Sequence, residues 1–243
     1  MKKLFDKDQT LFAVLWIVIY VVGFSLADGI SESIGIPKLL TVAVGFVLSV
    51  ILFLFIGKNQ LFEYVGLCAF KGSIKSFLHF IPLIIASSVN LWNGIVLKDS
   101  VPAALLGVTS MCLVAFIEEV IFRGLLFKGM CRDNVKTAII VSSLTFGMGH
   151  IVNLLLGAPL FDTLLQLVYA SAVGFCYTAV FHVGKSIIPC IISHAVVNSL
   201  SVFACETSSA QTDIVTAVVQ SIICIAYGAW LLGCSTKNEE IKA

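Results

Sequence analysis

Two adjacent carboxylates and an arginine, Glu118, Glu119 and Arg123, interrupt an apolar run from about Val101 to about Phe127. A charge at bilayer depth costs about 3 kcal/mol on insertion scales, so such residues normally face a protein interior or a wet cavity. On a helix, Glu119 and Arg123 share one face with the acid N-terminal to the base, which favours an ion pair. A purely structural pair explains these two residues. This structural interpretation does not explain Glu118, which points about 100° away from Glu119 around the helix and is available for chemistry.

Three further polar residues lie inside later apolar runs. His150 ends the sequence Phe-Gly-Met-Gly-His, about 20 Å into its predicted span, and the two glycines leave room for a neighbouring helix. His194 and Asn198 are four residues apart and stack on one helix face. Each site alone also fits a hydrogen-bonded packing role. Because Glu118 and His194 lie about 15 Å and about 12 Å from the same membrane surface, the three spans can meet at one level.

The elements that must hold these residues are membrane helices. The chain has 243 residues, of which 59% are hydrophobic and only 12% are charged, whereas soluble domains are typically about 25% charged. In lipid every backbone polar group must be satisfied internally, which predicts an all-α helical bundle. We interpret residues 1–243 as one integral membrane domain, with a motif-bearing core at about 101–204. No basic tract with interleaved aromatics is present, which argues against nucleic-acid binding.

Hydropathy predicts about eight transmembrane helices. The predicted spans run from about Leu11 to Ala27, Leu39 to Ile56, Phe77 to Leu97, Val101 to Phe127, Val135 to Leu156, Leu160 to Phe181, Ser186 to Ala204 and Ile214 to Leu232. The first run follows three lysines and could be a cleaved signal peptide. Its length of about 17 residues and the two nearby aspartates favour an uncleaved span.

The distribution of basic residues predicts the topology. Eight spans place both termini on one side, and a cytoplasmic N-terminus leaves only Lys38 and Lys98 in the outer segments. The inner segments then hold twelve basic residues, namely Lys2, Lys3, Lys7, Lys58, Lys71, Lys75, Lys128, Arg132, Lys136, Lys185, Lys237 and Lys242. This strong positive-inside bias predicts that both termini are cytoplasmic.

Several common catalytic patterns are absent from the sequence. The eight cysteines are scattered singly without a C-x-x-C pair, so they are interpreted as small core residues rather than as a disulfide framework or a thiolate zinc site. Neither G-x-S-x-G nor H-E-x-x-H occurs, which argues against a serine hydrolase of that type and against a standard zincin.

The set Glu118-Glu119-x-x-x-Arg123, Phe146-x-x-x-His150 and His194-x-x-x-Asn198 resembles the three motifs of the CPBP intramembrane protease family. This family is also called CAAX prenyl protease 2-like, or Abi. The motif region runs from about Val101 to Leu200. The resemblance implies a glutamate-dependent endopeptidase with an eight-helix core and a conical cavity that opens to the cytoplasmic side.

The resemblance also implies a role for each motif residue. Glu118 would be the general base and His150 would help to hold the water. Glu119 and Arg123 would support the site. His194 and Asn198 would form the oxyanion hole, a kind of donor pair that can contribute about 3 kcal/mol.

A metal cofactor is an alternative that the residues leave open. Glu118, His150 and His194 with an open water position would suit zinc, and the family is often described as metalloproteases. The resemblance equally supports a metal-free glutamate mechanism, and an asparagine such as Asn198 is an unusual zinc ligand. We expect no tightly bound metal, with zinc as the alternative.

Two other function classes compete with the protease. A non-catalytic membrane scaffold or self-immunity protein of the same family would not need the intact motifs. A small transporter could relay protons through Glu118 and His150, but it has no use for an oxyanion-type Asn198.

The expected partners are membrane lipids and a peptide or lipidated membrane protein as substrate. Eukaryotic relatives suggest a prenylated C-terminal tripeptide as that substrate. The compact chain instead looks bacterial, which suggests a multi-pass protein of a bacterial cell membrane that cleaves a bacteriocin leader or a signalling peptide.

Overall fold

The computed structural model describes residues 1–70, 80–205 and 209–240, with side chains up to residue 234. The described residues are mostly helical and include no β-strand, which confirms the predicted all-α class. The helices are α1 (Lys2–Lys7), α2 (Gln9–Ser33), α3 (Leu39–Lys58), α4 (Phe62–Val65), α5 (Ile81–Ser87), α6 (Val101–Met130), α7 (Val135–Met148), α8 (Val152–Leu155), α9 (Leu160–Gly184), α10 (Ile188–Ser201) and α11 (Ala210–Glu240).

Among the residues that the structure describes, six helical segments are long and apolar enough to cross a membrane. They are α2, α3, α6, α9, α11 and the continuous segment Val135–Leu155, in which a 3₁₀ turn at Gly149–Ile151 joins α7 to α8. These six correspond to six of the eight predicted spans. A polytopic membrane bundle is therefore confirmed, while the total of eight spans and the cytoplasmic termini stay predictions.

The other two predicted spans are shorter than expected. The start of the third, residues 77–79, lies outside the described residues, as do Lys71 and Lys75 before it. Its described part forms only α5 and a 3₁₀ turn at Val89–Leu91, because serines, asparagines and Gly94, which has a φ of 90°, interrupt the apolar pattern. The seventh becomes α10, whose 14 residues extend about 21 Å, less than the apolar thickness of a bilayer.

One end of the bundle is filled with aromatic side chains. Phe5 of α1 packs against Phe12 and Phe55, with ring centroids 5.5 and 5.7 Å apart, and Phe127 packs against Phe181 at 5.9 Å. All five rings are buried. We call this the closed end; it carries residues 1–8, 58–61, 128–136 and 185–187. The opposite end, with residues 28–38, 92–100, 156–162 and 202–205, is called the open end.

Helix α6 changes its winding in the middle. It is α-helical over Val101–Glu119, π-helical over Val120–Phe127 and α-helical again to Met130. All eight residues of the π-helical segment are buried. Such wider turns are rare and occur frequently at functional sites. Here the wider turn begins directly after the two glutamates and contains the arginine.

Close packing of α7 on α9 depends on one of the two glycines before His150. A Cβ at Gly147 would collide with the Ser171 hydroxyl and lie 2.8 Å from the Leu167 carbonyl oxygen. A Cβ at Gly149 would meet no atom within 4 Å. The expected close approach is therefore confirmed at Gly147 and wrong at Gly149, which instead begins the 3₁₀ turn.

We expect Gly147→Ala to destabilise the protein by about 1–3 kcal/mol, because the added methyl group overpacks the contact between α7 and α9. Thermal unfolding in detergent, with the folded yield by size-exclusion chromatography, measures this loss. Gly149→Ala, two residues away, is the matched control and should unfold as the wild type does. Equal unfolding temperatures for both variants would contradict the packing described here.

Candidate active site

The buried ion pair predicted on α6 is present. Arg123 donates from Nη1 to Glu119 Oε1 over 2.9 Å, and neither side chain is exposed. Arg123 Nη2 donates to the Gly174 carbonyl oxygen of α9 over 3.2 Å. The arginine therefore ties the carboxylate on its own helix to the backbone of a second helix.

Two aromatic rings complete the surroundings of the guanidinium. Arg123 Cζ lies 4.2 Å from the centroid of Phe146 and 5.4 Å from that of Tyr177. Cation–π contacts of this kind contribute more when they are desolvated. Within the described part of the chain, Arg123 Nε and Glu119 Oε2 have no hydrogen-bond partner. A buried charge pair with unsatisfied atoms is costly, so this pair by itself is weak evidence for a net gain in stability.

His194 joins this pair from α10. Its Nδ1 lies 2.8 Å from Glu119 Oε1, the same oxygen that accepts from Arg123. A carboxylate oxygen at this distance accepts the Nδ1 proton, which fixes the tautomer and the orientation of the ring. The other nitrogen, Nε2, lies 3.6 Å from Glu118 Oε2. His194 therefore spans the two glutamates, with Nε2 on the side of Glu118.

Hydroxyl groups fix the backbone behind His194. The Ser193 hydroxyl is 2.6 Å from that of Ser87 on α5 and 2.9 Å from that of Tyr177 on α9. All three side chains are buried. The start of α10 is therefore held from two helices at once.

Glu118 has a partner that sequence reasoning missed. The hydroxyl of Tyr20 on α2 donates to Glu118 Oε1 over 2.6 Å, a short contact typical of a charge-assisted hydrogen bond. Glu118 is 9% exposed, and its other oxygen, Oε2, is the one near His194. In the sequence, only the hydroxyl group of Tyr20, within a mostly apolar predicted span, could have identified it as a site residue. Tyrosine is common in such spans.

A cavity of about 800 Å³ contains the candidate residues. Glu118, His150, His194, Asn198 and Tyr20 all line it. The predicted meeting of three spans is thus observed, whereas Glu119 and Arg123 lie behind the cavity wall.

The histidines and the asparagine approach the cavity in different ways. His150 belongs to the 3₁₀ turn rather than to a straight helix, and its ring lies 6.0 Å from that of Phe146. Phe146 also contacts the His194 ring at 5.6 Å, so one phenylalanine places both histidines. Asn198 is half-buried and lies one helical turn from His194 towards the open end.

The wall beyond this cluster is rich in side-chain amides. Asn90 donates to the Val197 carbonyl oxygen over 2.6 Å, and Asn153 donates to Gln166 over 2.8 Å. Amides carry both donors and acceptors, as a peptide backbone does. The full set of cavity amides is Asn90, Asn93, Asn153, Gln166, Asn198 and Gln220. Apart from Asn198, sequence reasoning did not single them out, because residues near helix ends are ordinarily polar.

The described residues do not fit a three-ligand zinc site. Glu118 and His194 are 3.6 Å apart, but no group of three His, Cys, Asp or Glu among the described side chains is arranged to hold a metal ion. His150 does not complete such a set. Catalytic zinc normally has three protein ligands, so we derive no step through a metal.

The helical bundle and its enclosed carboxylate–histidine cluster define a multi-pass integral membrane protein with a polar site inside the bundle. Residues 100–200 match the family model described as "Type II CAAX prenyl endopeptidase Rce1-like". The match includes all three motifs and confirms the resemblance of this segment to the CPBP, or CAAX protease, family. No curated protein matches the chain.

We expect Arg123→Ala to lower the folded yield and the unfolding temperature, because it strands the buried Glu119 carboxylate. Removing one partner of a buried ion pair costs about 3–5 kcal/mol. Thermal unfolding in detergent measures the effect.

A second substitution tests whether the ion pair is the cause. Adding Glu119→Gln to Arg123→Ala should recover part of the stability, since a neutral amide is less costly to bury alone. It should not recover activity, because His194 also loses its carboxylate partner. Normal stability of the single Arg123→Ala variant would show that the pairing is wrong.

We expect Tyr20→Phe to reduce the rate of peptide cleavage by about 10-fold to 100-fold, with little loss of stability. A hydrogen bond to a charged group contributes about 1.5–3 kcal/mol, and here it orients Glu118. Cleavage of a quenched fluorescent peptide gives the rate. Tyr64→Phe is the matched control, because the Tyr64 hydroxyl donates to Gln9 at the closed end over 2.8 Å. Equal rates for the two variants would remove Tyr20 from the site.

Proposed function

We propose that this chain is an intramembrane endopeptidase that hydrolyses a peptide bond of a membrane-associated peptide or protein with water activated by Glu118. The match of the site-bearing segment to a CAAX protease family supports the activity class. The observation that carries the proposal is the Glu118 carboxylate, which lies beside His194 deep in a cavity inside the bundle.

The first step is proton transfer from water to Glu118. Tyr20 occupies Oε1, so Oε2 is the oxygen that receives the proton. The hydroxide formed attacks the carbonyl carbon of the scissile bond. His150 lines the same cavity and helps to hold the water. A positioned base of this kind typically contributes 10²-fold to 10⁴-fold to the rate.

The attack places negative charge on the carbonyl oxygen. We assign its stabilisation to the Asn198 side-chain amide and to Nε2 of His194. With Nδ1 donating to Glu119, Nε2 acts as a second donor in the doubly protonated form of the ring. The protonated Glu118 then returns its proton to the leaving amine, and the peptide bond breaks.

The shape of the cavity supports hydrolysis over transport. A proton-coupled transporter exposes its central site to both sides of the membrane in turn. Here the buried π-helical segment Val120–Phe127 and the aromatic closed end lie directly beyond Glu118. The dead end is suited to holding one segment of a peptide while its bond is cleaved.

We expect Glu118→Gln to abolish cleavage while leaving fold and substrate binding intact, because the amide has nearly the same shape but cannot accept the proton.

His150→Ala should reduce the cleavage rate nearly as much as Glu118→Gln does. The double variant should be little slower than either single variant, since the effects of residues that act as a unit are not additive. Asn198→Ala should cost about 10²-fold to 10³-fold, as the loss of one oxyanion donor.

Controls separate this mechanism from its competitors. Near-normal cleavage by Glu118→Gln of a verified substrate would refute Glu118 as the base, whereas no cleavage by the wild type would favour the scaffold interpretation. Prolonged treatment of the wild type with a strong chelator should leave it active. Inactivation that zinc reverses would instead identify Glu118, His150 and His194 as ligands.

A further inference from the structure

The residues around the mouth of the catalytic cavity all lie at one end of the bundle. On the floor are Glu118, Phe122 and His194. At the mouth are residues from the ends of helices or from the links between them, namely Asp28, Lys38, Asn93, Lys98, Asp162 and Cys205. All six belong to the open end. A substrate that reaches Glu118 through this mouth therefore approaches from that end.

The closed end offers no route through the described part of the chain. No lining residue of this cavity comes from residues 1–19, 42–70, 123–145 or 174–193. These segments supply the aromatic cluster and Arg123, whose side chains are buried. In the described part of the chain, this packing separates Glu118 from the closed end, and the second cavity at that end, of about 580 Å³, shares no lining residue with the catalytic one.

Charge distinguishes the two ends. Among the described side chains, the open end holds only two basic residues, Lys38 and Lys98, and Lys38 is paired with Asp28 over 2.8 Å. The closed end holds eight, which are Lys2, Lys3, Lys7, Lys58, Lys128, Arg132, Lys136 and Lys185. Short links rich in lysine and arginine stay in the cytoplasm, so the closed end faces the cytoplasm.

We infer that the catalytic cavity opens to the extracytoplasmic side of the membrane and takes a polypeptide segment that has already crossed it. This inference rests on the proposed protease function for its substrate, but the side of the opening is independent of catalysis. It reverses the cytoplasmic opening that the family resemblance implied. The reaction that supplies the substrate is then export of a precursor peptide or of an anchored protein.

The cavity wall agrees with such a substrate. Four of the six amides, those of Asn90, Asn153, Gln166 and Gln220, already make one hydrogen bond within the protein. Their remaining donors and acceptors can bond the backbone of an extended chain, whatever its side chains are. A lipidated C-terminus attached to the cytoplasmic leaflet would have to enter through the closed end.

Native cysteines provide the test without a change in sequence. Cys205 lies at the cavity mouth, whereas Cys68 and Cys131 lie near the closed end, and all three are free and partly exposed. Intact cells are treated with a membrane-impermeant maleimide, and the labelled peptides are quantified by mass spectrometry. Burial raises the pKa of the Cys131 thiol, which slows its reaction, so each cysteine is scaled to its own labelling after permeabilisation.

We expect Cys205 to reach most of its full labelling in intact cells, and Cys68 and Cys131 to label only after permeabilisation. The reverse pattern would overturn the inference. Two added thiols make the result independent of native reactivity: Glu32→Cys at the open end and Asp133→Cys at the closed end, both at exposed positions. Labelling of Asp133→Cys but not of Glu32→Cys from outside would equally overturn it.

Oriented vesicles separate the side of the opening from the activity. A quenched fluorescent peptide library without lipid groups is added outside right-side-out and inside-out vesicles, with Glu118→Gln as the inactive control. We expect at least 10-fold faster cleavage in right-side-out vesicles. Cleavage only in inside-out vesicles would refute the inference and leave the protease standing. If neither orientation cleaves while Cys205 labels from outside, the protease proposal fails and the extracytoplasmic opening stands.

Discussion

The site depends on a single oxygen atom, Glu119 Oε1, which contacts both Arg123 Nη1 and His194 Nδ1. Through Arg123 this oxygen is connected to the backbone of α9 at Gly174, and through His194 it is connected to α10. Three helices are thus fixed relative to one another by hydrogen bonds in a region where water cannot compete. The orientation of the His194 ring beside Glu118 follows from this arrangement.

Around this anchor, the two ends of the bundle are built differently. The closed end is packed with aromatic rings that join α1 to α2 and α3, and α6 to α9. The open end is interrupted by short helices, a 3₁₀ turn and amide side chains, which leave space for a cavity. A protein that must admit water and a polar peptide to bilayer depth needs this asymmetry, because an evenly packed bundle would exclude both.

The sequence predicted the parts of the site that depend on local periodicity. Glu119 and Arg123 are four residues apart on one helix, and their pairing follows from that spacing alone. The shared depth of Glu118, His150 and His194 followed from counting along each span. By contrast, Tyr20 contacts a residue 98 positions away, and Phe146 and Tyr177 surround Arg123 from other helices. Such contacts depend on how helices are arranged, which no local pattern specifies.

The interruption of the third predicted span was missed for another reason. Hydropathy is averaged over a window of residues, and this average hides the asparagines and Gly94 that stop the helix.

The π-helical segment of α6 also constrains how the gene can vary. A π turn holds about one residue more than an α turn, so this stretch is equivalent to a one-residue insertion in a regular helix. Deleting any single codon between Val120 and Phe127 could restore regular winding. It would also rotate part of the helix by about 100° relative to Glu118 and Glu119, and could carry Arg123 away from its partners. We therefore expect no insertions or deletions in this segment among related sequences, whereas the links at the open end tolerate them better.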